Sequence, residues 1–495
     1  MYLDSHLPLS HHPYISPFPH QVSGQESGDD LETGLTLDAV FGIKDPLRPD
    51  VTEAVAACQE AGILVRMVTG DNIDTAKAIA TECGILTKGG VAMEGPVFRK
   101  LTPAQLDAML PSLQVLARSS PDDKHTLVTR LNGTALPSTQ EDDGTNDGPA
   151  LKAADVGLSM GLTGTDVAKE ASDIVILDDN FSSIVKSVMW GRSVFDNIRK
   201  FLQFQLTVNV TALSITFISA VTGTEPPLNA VMMLWVNLIM DTMGALALGT
   251  ELPSPKLLLR RPYKRDASLV SNKMFRNIGV QFVFQMGVLC YLLLAGAPHF
   301  GTVQDSTQHL TIIFNTFVFC QVFNEFNARS IGDEMNVFKG LGSSPLFMAI
   351  MLFTVLAQYG IVEYGGDFVR TVSLTSEQWV KCVLLGALSL PLGGVMRLIP
   401  VSDSESDYAV MTPLMKENRS KSAKSKKPEV EAVLPLSLLF WVVTVTVLPV
   451  VVLQHFNVHW GLLPNDVDAV LSGVVAQITA QVEVVAAAVA GALPK

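Results

Sequence analysis

The chain has 495 residues, 48% of them hydrophobic and only 17% charged, with a mean hydropathy of +0.32. Soluble domains carry about a quarter charged residues, so this deficit points to membrane spans and excludes disorder, collagen-like fibres and coiled coils for the bulk of the chain. A net charge of −13 speaks against a nucleic-acid partner, which calls for a basic patch or stripe.

Residues 1–34 form a polar leader rich in Pro, His and Ser. It has no basic start followed by an apolar stretch and is not a secretory signal. Its histidines (His6, His11, His12, His20) are irregularly spaced, and the composition reads as disorder rather than a metal site. From 35 to about 195 the pattern alternates strand and helix. "LTLDAVFGI" predicts a strand, and "RPDVTEAVAACQEAGI" an amphipathic helix opened by Pro49 and closed by Gly62. The strand "LVRMV" follows, then the helix "NIDTAKAIATECGI" ending at Gly84, and then "LQVLARS", "DDKHTLVTRL" and "SDIVILD". This order predicts a parallel, doubly wound α/β sheet with ligands at the carboxyl ends of its strands.

Apolar stretches near the ~20 residues that cross a bilayer then occur at about 204–222, 228–249, 278–296, 310–326, 346–363 and 379–397. The connection 250–277 and the tail after the sixth stretch are rich in Lys and Arg, and 327–345 carries Arg329 and Lys339. The loops 223–227 and 297–309 carry neither, and 364–378 has only Arg370. This alternation predicts a six-helix transmembrane domain over 196–400 with the α/β region and the tail on the cytoplasmic side. The segment 401–432 reads as a basic cytoplasmic linker. Of the apolar tail 433–495, the stretch 434–454 is apolar enough to cross again and 467–493 is an Ala/Val-rich helix candidate; no function is read for either. The five cysteines (Cys58, Cys83, Cys290, Cys320, Cys382) are odd in number and never form a CxxC pair, which suits reduced thiols.

Three segments of the α/β region share a chemistry. Strand "LVRMV" runs into Thr69-Gly70-Asp71, "SSPDDK" ends in Lys124, and "DDGTNDGPAL" carries Asp143 and Asp147. A hydroxyl and an ammonium suit phosphoryl oxygens, and paired carboxylates suit Mg²⁺. Gly144 and Gly148 are read as allowing tight turns near a ligand. Each piece alone is also a common turn sequence; the three together, after strands, are more telling.

"MVTGDNIDTAKAIA", "ARSSPDDKHTLV", "DGTNDGPALKAADVGLSMG", "GTDVAKEASDIVILDDNFSSIVK", "FLQFQLTVNV" and "WVNLIMDT" closely resemble P-type ATPases, most of all the plasma-membrane and vacuolar calcium pumps. The resemblance covers about residues 35–400. It implies a haloacid-dehalogenase-like phosphorylation domain, here incomplete, followed by the last six of ten membrane helices. It also implies ATP and Mg²⁺ as cofactors and Ca²⁺ as the transported ion. On the matching positions Asp143 would hold Mg²⁺ and Asp147 would support it. Lys124 and Thr69 would contact an aspartyl-phosphate, Gly70 would give the turn, and Asp71 would lie at the nucleotide side. Asp45 and Arg48 in "KDPLRPD" match the family's hinge motif.

In the second span Asn237 and Asp241 lie four apart, a spacing that predicts one helix face, and Asn209 in the first span stands at similar depth. An intramembrane carboxylate is costly and marks function by default, and with amide oxygens it suits Ca²⁺. The alternative is a helix–helix hydrogen-bond cluster. The resemblance makes Asn209, Asn237 and Asp241 cation ligands. Ala212 and the neutral Gln321 resemble the single-ion branch, and Glu325 reads as structural. "SSIVKSVMWGRSVFDNIRKFLQFQL" predicts one long helix leading into the first span, a candidate lever. The basic run 416–427 could bind calmodulin or anionic lipid, as tails of this branch do, but it lacks apolar anchors and reads as a solvated linker.

The sequence departs from the family in several places. It contains no DKTGT string and no TGES actuator loop, and "NGTALPSTQEDDG" replaces the apolar strand expected before Asp143. A misplaced splice junction would account for this stretch and for the unrelated leader. The expectation is a C-terminal part of a calcium pump, inactive alone, in the plasma or vacuolar membrane. Two other readings are a non-catalytic membrane cation-binding protein and a membrane-anchored phosphatase. The last of these lacks the DxD pair it requires.

Overall fold

A computed structural model describes residues 2–3, 47–133, 139–142 and 144–425. The rest of the leader, the strand expected over 35–43, Asp45, Asp143 and the apolar stretches 434–454 and 467–493 lie outside the described residues. The chain divides into two compact units. The first comprises Met1–Trp190, Ser254–Ala267 and Ser406–Lys427, and the second Gly191–Pro253, Ser268–Glu405 and Pro428–Lys495. The long helix expected from the sequence forms, over Phe181–Thr222.

The first unit is built on seven strands: β1 (Tyr2–Leu3), β2 (Arg66–Val68), β3 (Val91–Glu94), β4 (Leu113–Ala117), β5 (Thr139–Asp142), β6 (Val156–Met160) and β7 (Ile174–Ile176). Their order is β3-β4-β2-β1-β5-β6-β7, and every pairing is parallel. Successive strand residues feed opposite faces. Met67, Val115 and Ala117 join one apolar cluster with Ala76, Ile79 and Ile184, whereas Val68 and Leu116 join another with Phe98, Leu127 and Val128. Helices therefore cover both faces, which is why β2 and β4 are buried along their whole length.

β5 overturns an expectation. Its sequence "TQED" is polar, yet it pairs with β6 from Thr139↔Val156 to Asp142↔Ser159 and with β1 at Gln140. Ladder hydrogen bonds use the backbone, so flanking strands with strong apolar preference can hold a polar one in register.

Helix ends follow the sequence signals. Gly62 and Gly84 take φ of +77° and +81° just past the helices Val51–Glu60 and Ile73–Glu82, a left-handed turn that favours glycine. The stretch expected to be a solvated linker forms a helix over Pro413–Ser425. Leu414 and Met415 are buried with Met411 against Leu64. The preceding segment is tied to the 254–267 loop: Ala409 N–H donates to the Pro262 carbonyl at 3.0 Å, Lys264 N–H donates to the Asp407 carbonyl at 2.9 Å, and the Tyr263 and Tyr408 rings stack 5.0 Å apart.

Among the described residues five helices are long and apolar enough to cross a membrane: Phe181–Thr222, Ala230–Gly249, Asn272–Phe300, Pro345–Tyr364 and Ser376–Arg397. The stretch expected at 310–326 forms the helix Thr307–Ala328, but it falls short in apolar content. Its Thr311, Asn315, Thr316, Gln321, Asn324 and Glu325 are all buried, so the helix is a polar strut inside the second unit. Trp235 Nε1 donates to Gln358 Oε1 at 3.0 Å, and Gln358 Nε2 donates to Asn315 Oδ1 at 3.1 Å. A π-helical segment, Trp235–Met240, interrupts the 230–249 helix.

Candidate functional site

In the first unit Thr69, Gly70 and Asp71 lie on the loop after β2, Lys124 stands in the helix Pro121–Asn132 that follows β4, and Asp147 follows β5. β2 delivers Thr69, which is 1% exposed. Its N–H donates to the Leu116 carbonyl at 2.9 Å, and its carbonyl accepts from the Ser119 N–H at 3.0 Å and the Ser119 hydroxyl at 3.1 Å. Thr69 Oγ1 accepts the Asp71 N–H at 3.2 Å, while the Asp71 carbonyl accepts the Arg118 N–H at 2.8 Å. These bonds lace the loops after β2 and β4 into one layer. Arg118 takes φ of 46° to do so, a conformation that costs a non-glycine residue about 1–2 kcal/mol.

Gly70 stands in the bend between β2 and the helix Ile73–Glu82. Its φ is not positive and no atom lies within 4 Å of a Cβ built there, so the turn does not require glycine. The same holds for Gly148, which would meet only ordinary contacts at 3.7 Å, and for the extended Gly144.

Lys124 is placed by a locked helix start. Ser120 and Asp123 form a capping box at the head of Pro121–Asn132. Arg99 Nε and Nη2 grip the Asp123 carboxylate at 2.8 and 2.9 Å. Burial pushes the Asp123 pKa up, but the hydrogen bonds from Arg99 and Ser120 outweigh it and hold the carboxyl below its ordinary value. Gly95 sits beneath this fork, where a Cβ would stand 2.5 Å from the Arg118 carbonyl and 2.8 Å from Asp123 Oδ2. Lys124 Nζ lies 3.0 Å from Asp147 Oδ2, with both side chains 6% exposed or less. Asp147 closes the single turn Thr145–Asp147 that follows β5.

Thr69, Gly70 and Asp71 therefore share one loop, and Lys124 is joined to Asp147. Asp143 and Asp45 lie outside the described residues. Arg48 is exposed and donates to the Asp179 carbonyl. Asp179, not singled out from the sequence, holds a neighbouring turn. Its carboxylate accepts the Leu162 N–H at 2.9 Å and the Thr163 N–H at 2.8 Å. Burial raises its pKa, and these bonds more than offset that, so the carboxyl sits below its ordinary value. Among the described residues no group of three or more His, Cys, Asp and Glu is placed to hold a metal ion.

In the second unit Asp241 is 3% exposed. Its Oδ2 accepts from Gln205 Nε2 at 2.7 Å, while Asp241 Oδ1 and Gln205 Oε1 are buried with no hydrogen-bond partner. Asn237, four residues earlier, is exposed, and Asn209 is half-buried. Asn237 lies in the π-helical segment Trp235–Met240, and Asp241 opens the α-helical stretch that follows. Gln205 was missed from the sequence, although it precedes Asn209 by four residues in the same helix. Glu325, read as structural, is 2% exposed, and its Oε1 has no hydrogen-bond partner. Gln321 donates to Gln285 Oε1 at 2.8 Å, and Ala212 is buried.

Two family models match the chain, in order: haloacid dehalogenase-like hydrolase over residues 9–155 and cation transporting ATPase, C-terminus, over residues 225–399. The chain is 54% identical over 379 residues to a putative calcium-transporting ATPase 11, plasma membrane-type, of Arabidopsis thaliana, covering 76% of this chain and 37% of the relative. It is 49% identical over 405 residues to the calcium-transporting ATPase PAT1 of Dictyostelium discoideum, covering 75% and 36%. It is 50% identical over 384 residues to calcium-transporting ATPase 3, plasma membrane-type, of Oryza sativa subsp. japonica, covering 77% and 37%. The chain thus spans little more than a third of the length of these relatives. With both models in sequence and about half of its residues identical over three quarters of its length, the chain is similar to a C-terminal portion of calcium-transporting ATPases.

Proposed function

We propose that this chain supplies the phosphate-handling and cation-binding parts of an ATP-driven calcium pump that exports Ca²⁺ from the cytosol through an aspartyl-phosphate. The observation that carries this reading is the buried carboxylate of Asp241 in an apolar helix, with an oxygen left unpartnered. Such a group is costly in a membrane unless a cation meets it. Asn209, Asn237 and Asp241 are the proposed Ca²⁺ residues.

Thr69 and Lys124 are the proposed phosphoryl contacts. The Lys124 ammonium lies 3.0 Å from Asp147 Oδ2 and is kept from reaching solvent. Asp71 would lie toward the nucleotide, with Asp45 and Arg48 at the hinge. Asp143 and Asp147 offer the hard oxygens that Mg²⁺ prefers, and a Mg²⁺ held there would neutralise phosphoryl charge. The strand order, which reverses direction of growth at β1, favours a doubly wound sheet. Counting Thr307–Ala328 with the five apolar helices gives a six-helix membrane domain. The basic connections favour the first unit facing the cytosol. The plasma or vacuolar membrane is the proposed location, the long 181–222 helix the proposed lever between the phosphate and cation sites, and calmodulin or anionic lipid the proposed partner of 416–427.

The test is equilibrium binding of ⁴⁵Ca²⁺ to the purified chain in lipid nanodiscs with millimolar Mg²⁺ present. Retained Ca²⁺ binding is expected, without acid-stable phosphoenzyme from labelled ATP, because the DKTGT nucleophile is missing from the sequence. A chain that binds no Ca²⁺ refutes the cation site, and a labelled phosphoenzyme refutes inactivity.

A further inference from the structure

We propose that Glu325 supplies a second carboxylate to the cation site centred on Asp241, an extension that rests on the calcium reading above. Glu325 stands in the buried helix Thr307–Ala328, is 2% exposed, and its Oε1 meets no hydrogen-bond donor. A structural role would require a basic or amide partner. The obvious one, Arg329 one turn further on, is committed elsewhere: its Nε lies 2.5 Å from Glu251 Oε1, and its two terminal nitrogens donate to the Val337 and Lys339 carbonyls. Lys200 is likewise held by Glu251, at 2.5 Å.

What Glu325 does face is the helix that carries Asp241. Gly244 lies three residues after Asp241, on the regular α-helical stretch Asp241–Gly249, and so shares its face. A Cβ at Gly244 would stand 3.7 Å from Glu325 Oε1 and 3.0 Å from Phe204 Cε1. Glu325 Oε1 thus lies at contact distance from the helix face that carries Asp241, and the two acids are close enough to interact electrostatically. Two buried carboxylates without a basic partner are a standing electrostatic cost. A divalent cation removes it, since its charge equals that of the pair. The nearby unpartnered Gln205 Oε1 completes an all-oxygen set of the kind a hard cation takes.

The experiment compares the wild-type chain with Glu325→Gln and Asp241→Asn in nanodiscs, by ⁴⁵Ca²⁺ binding and by thermal unfolding without divalent cations. Glu325→Gln keeps shape and removes charge. It should weaken Ca²⁺ binding at least tenfold and raise the metal-free melting temperature. If it binds Ca²⁺ as the wild type does while Asp241→Asn does not, this inference falls and the calcium reading stands. A lowered metal-free melting temperature also overturns it, because it marks a structural hydrogen bond. If the wild type binds no Ca²⁺, the calcium reading fails and this inference with it.

Discussion

The Lys124–Asp147 pair offers a direct probe of how the phosphate-handling layer is held together. Its atoms lie 3.0 Å apart, with side chains 6% and 4% exposed. At an effective dielectric of about 20, two unit charges at that distance attract by about 5 kcal/mol, and desolvation of both offsets most of it. Removing one partner leaves the other's desolvation uncompensated. Lys124→Met should therefore destabilise the first unit by about 3–5 kcal/mol, whereas Lys124→Met with Asp147→Asn should recover a large part of the loss. The chain has two units, so a single melting temperature does not isolate the effect. Hydrogen–deuterium exchange on peptides over 113–133 does. The single variant should exchange faster throughout the 121–132 helix, with the second unit unchanged, and the double variant should return toward wild type. Equal effects of the single and double variants would show that the pair is not coupled and would refute the reasoning.

Gly95→Ala should force the Arg118 carbonyl and Asp123 aside, costing about 1–3 kcal/mol by overpacking and opening the 95–124 region in the same exchange experiment. Asp123 and Asp179 have folded pKa values held below the ordinary carboxylate value. Their stabilisation is present above that unfolded value, near 4, and is lost as pH falls through the folded values. Exchange protection of the first unit should therefore decline below about pH 4, and Asp123→Asn should reduce that decline. Leu414→Asp places a charge against Leu64 and Met411; trypsin should then cut the 413–425 helix faster, while wild type resists.

Much of the first unit was legible because local signals and packing agree there. Gly62 and Gly84 stop helices where positive φ is needed, Ser120 and Asp123 cap the 121–132 helix, and the apolar runs of β2 and β4 become buried strands. β5 was not legible, since pairing between neighbours, not its own polar side chains, makes it a strand. The helix 413–425 was hidden for a related reason: its few apolar residues suffice only because Leu64 and Met411 wait for them. In the second unit the apolar lengths located the helices. A π-helical turn leaves no composition signal, so neither the Trp235–Met240 segment nor the exposure of Asn237 beside a buried Asp241 was legible. The burial of Glu325 was not legible, because surrounding helices cannot be seen in the one helix that carries it.

The account rests most heavily on Asp241 as a cation ligand. The number of ⁴⁵Ca²⁺ ions bound per chain in nanodiscs, for wild type and Asp241→Asn at equal folded fraction, tests it. The account predicts saturable binding near one ion per wild-type chain and none above background for the variant. Equal binding by the two would contradict it.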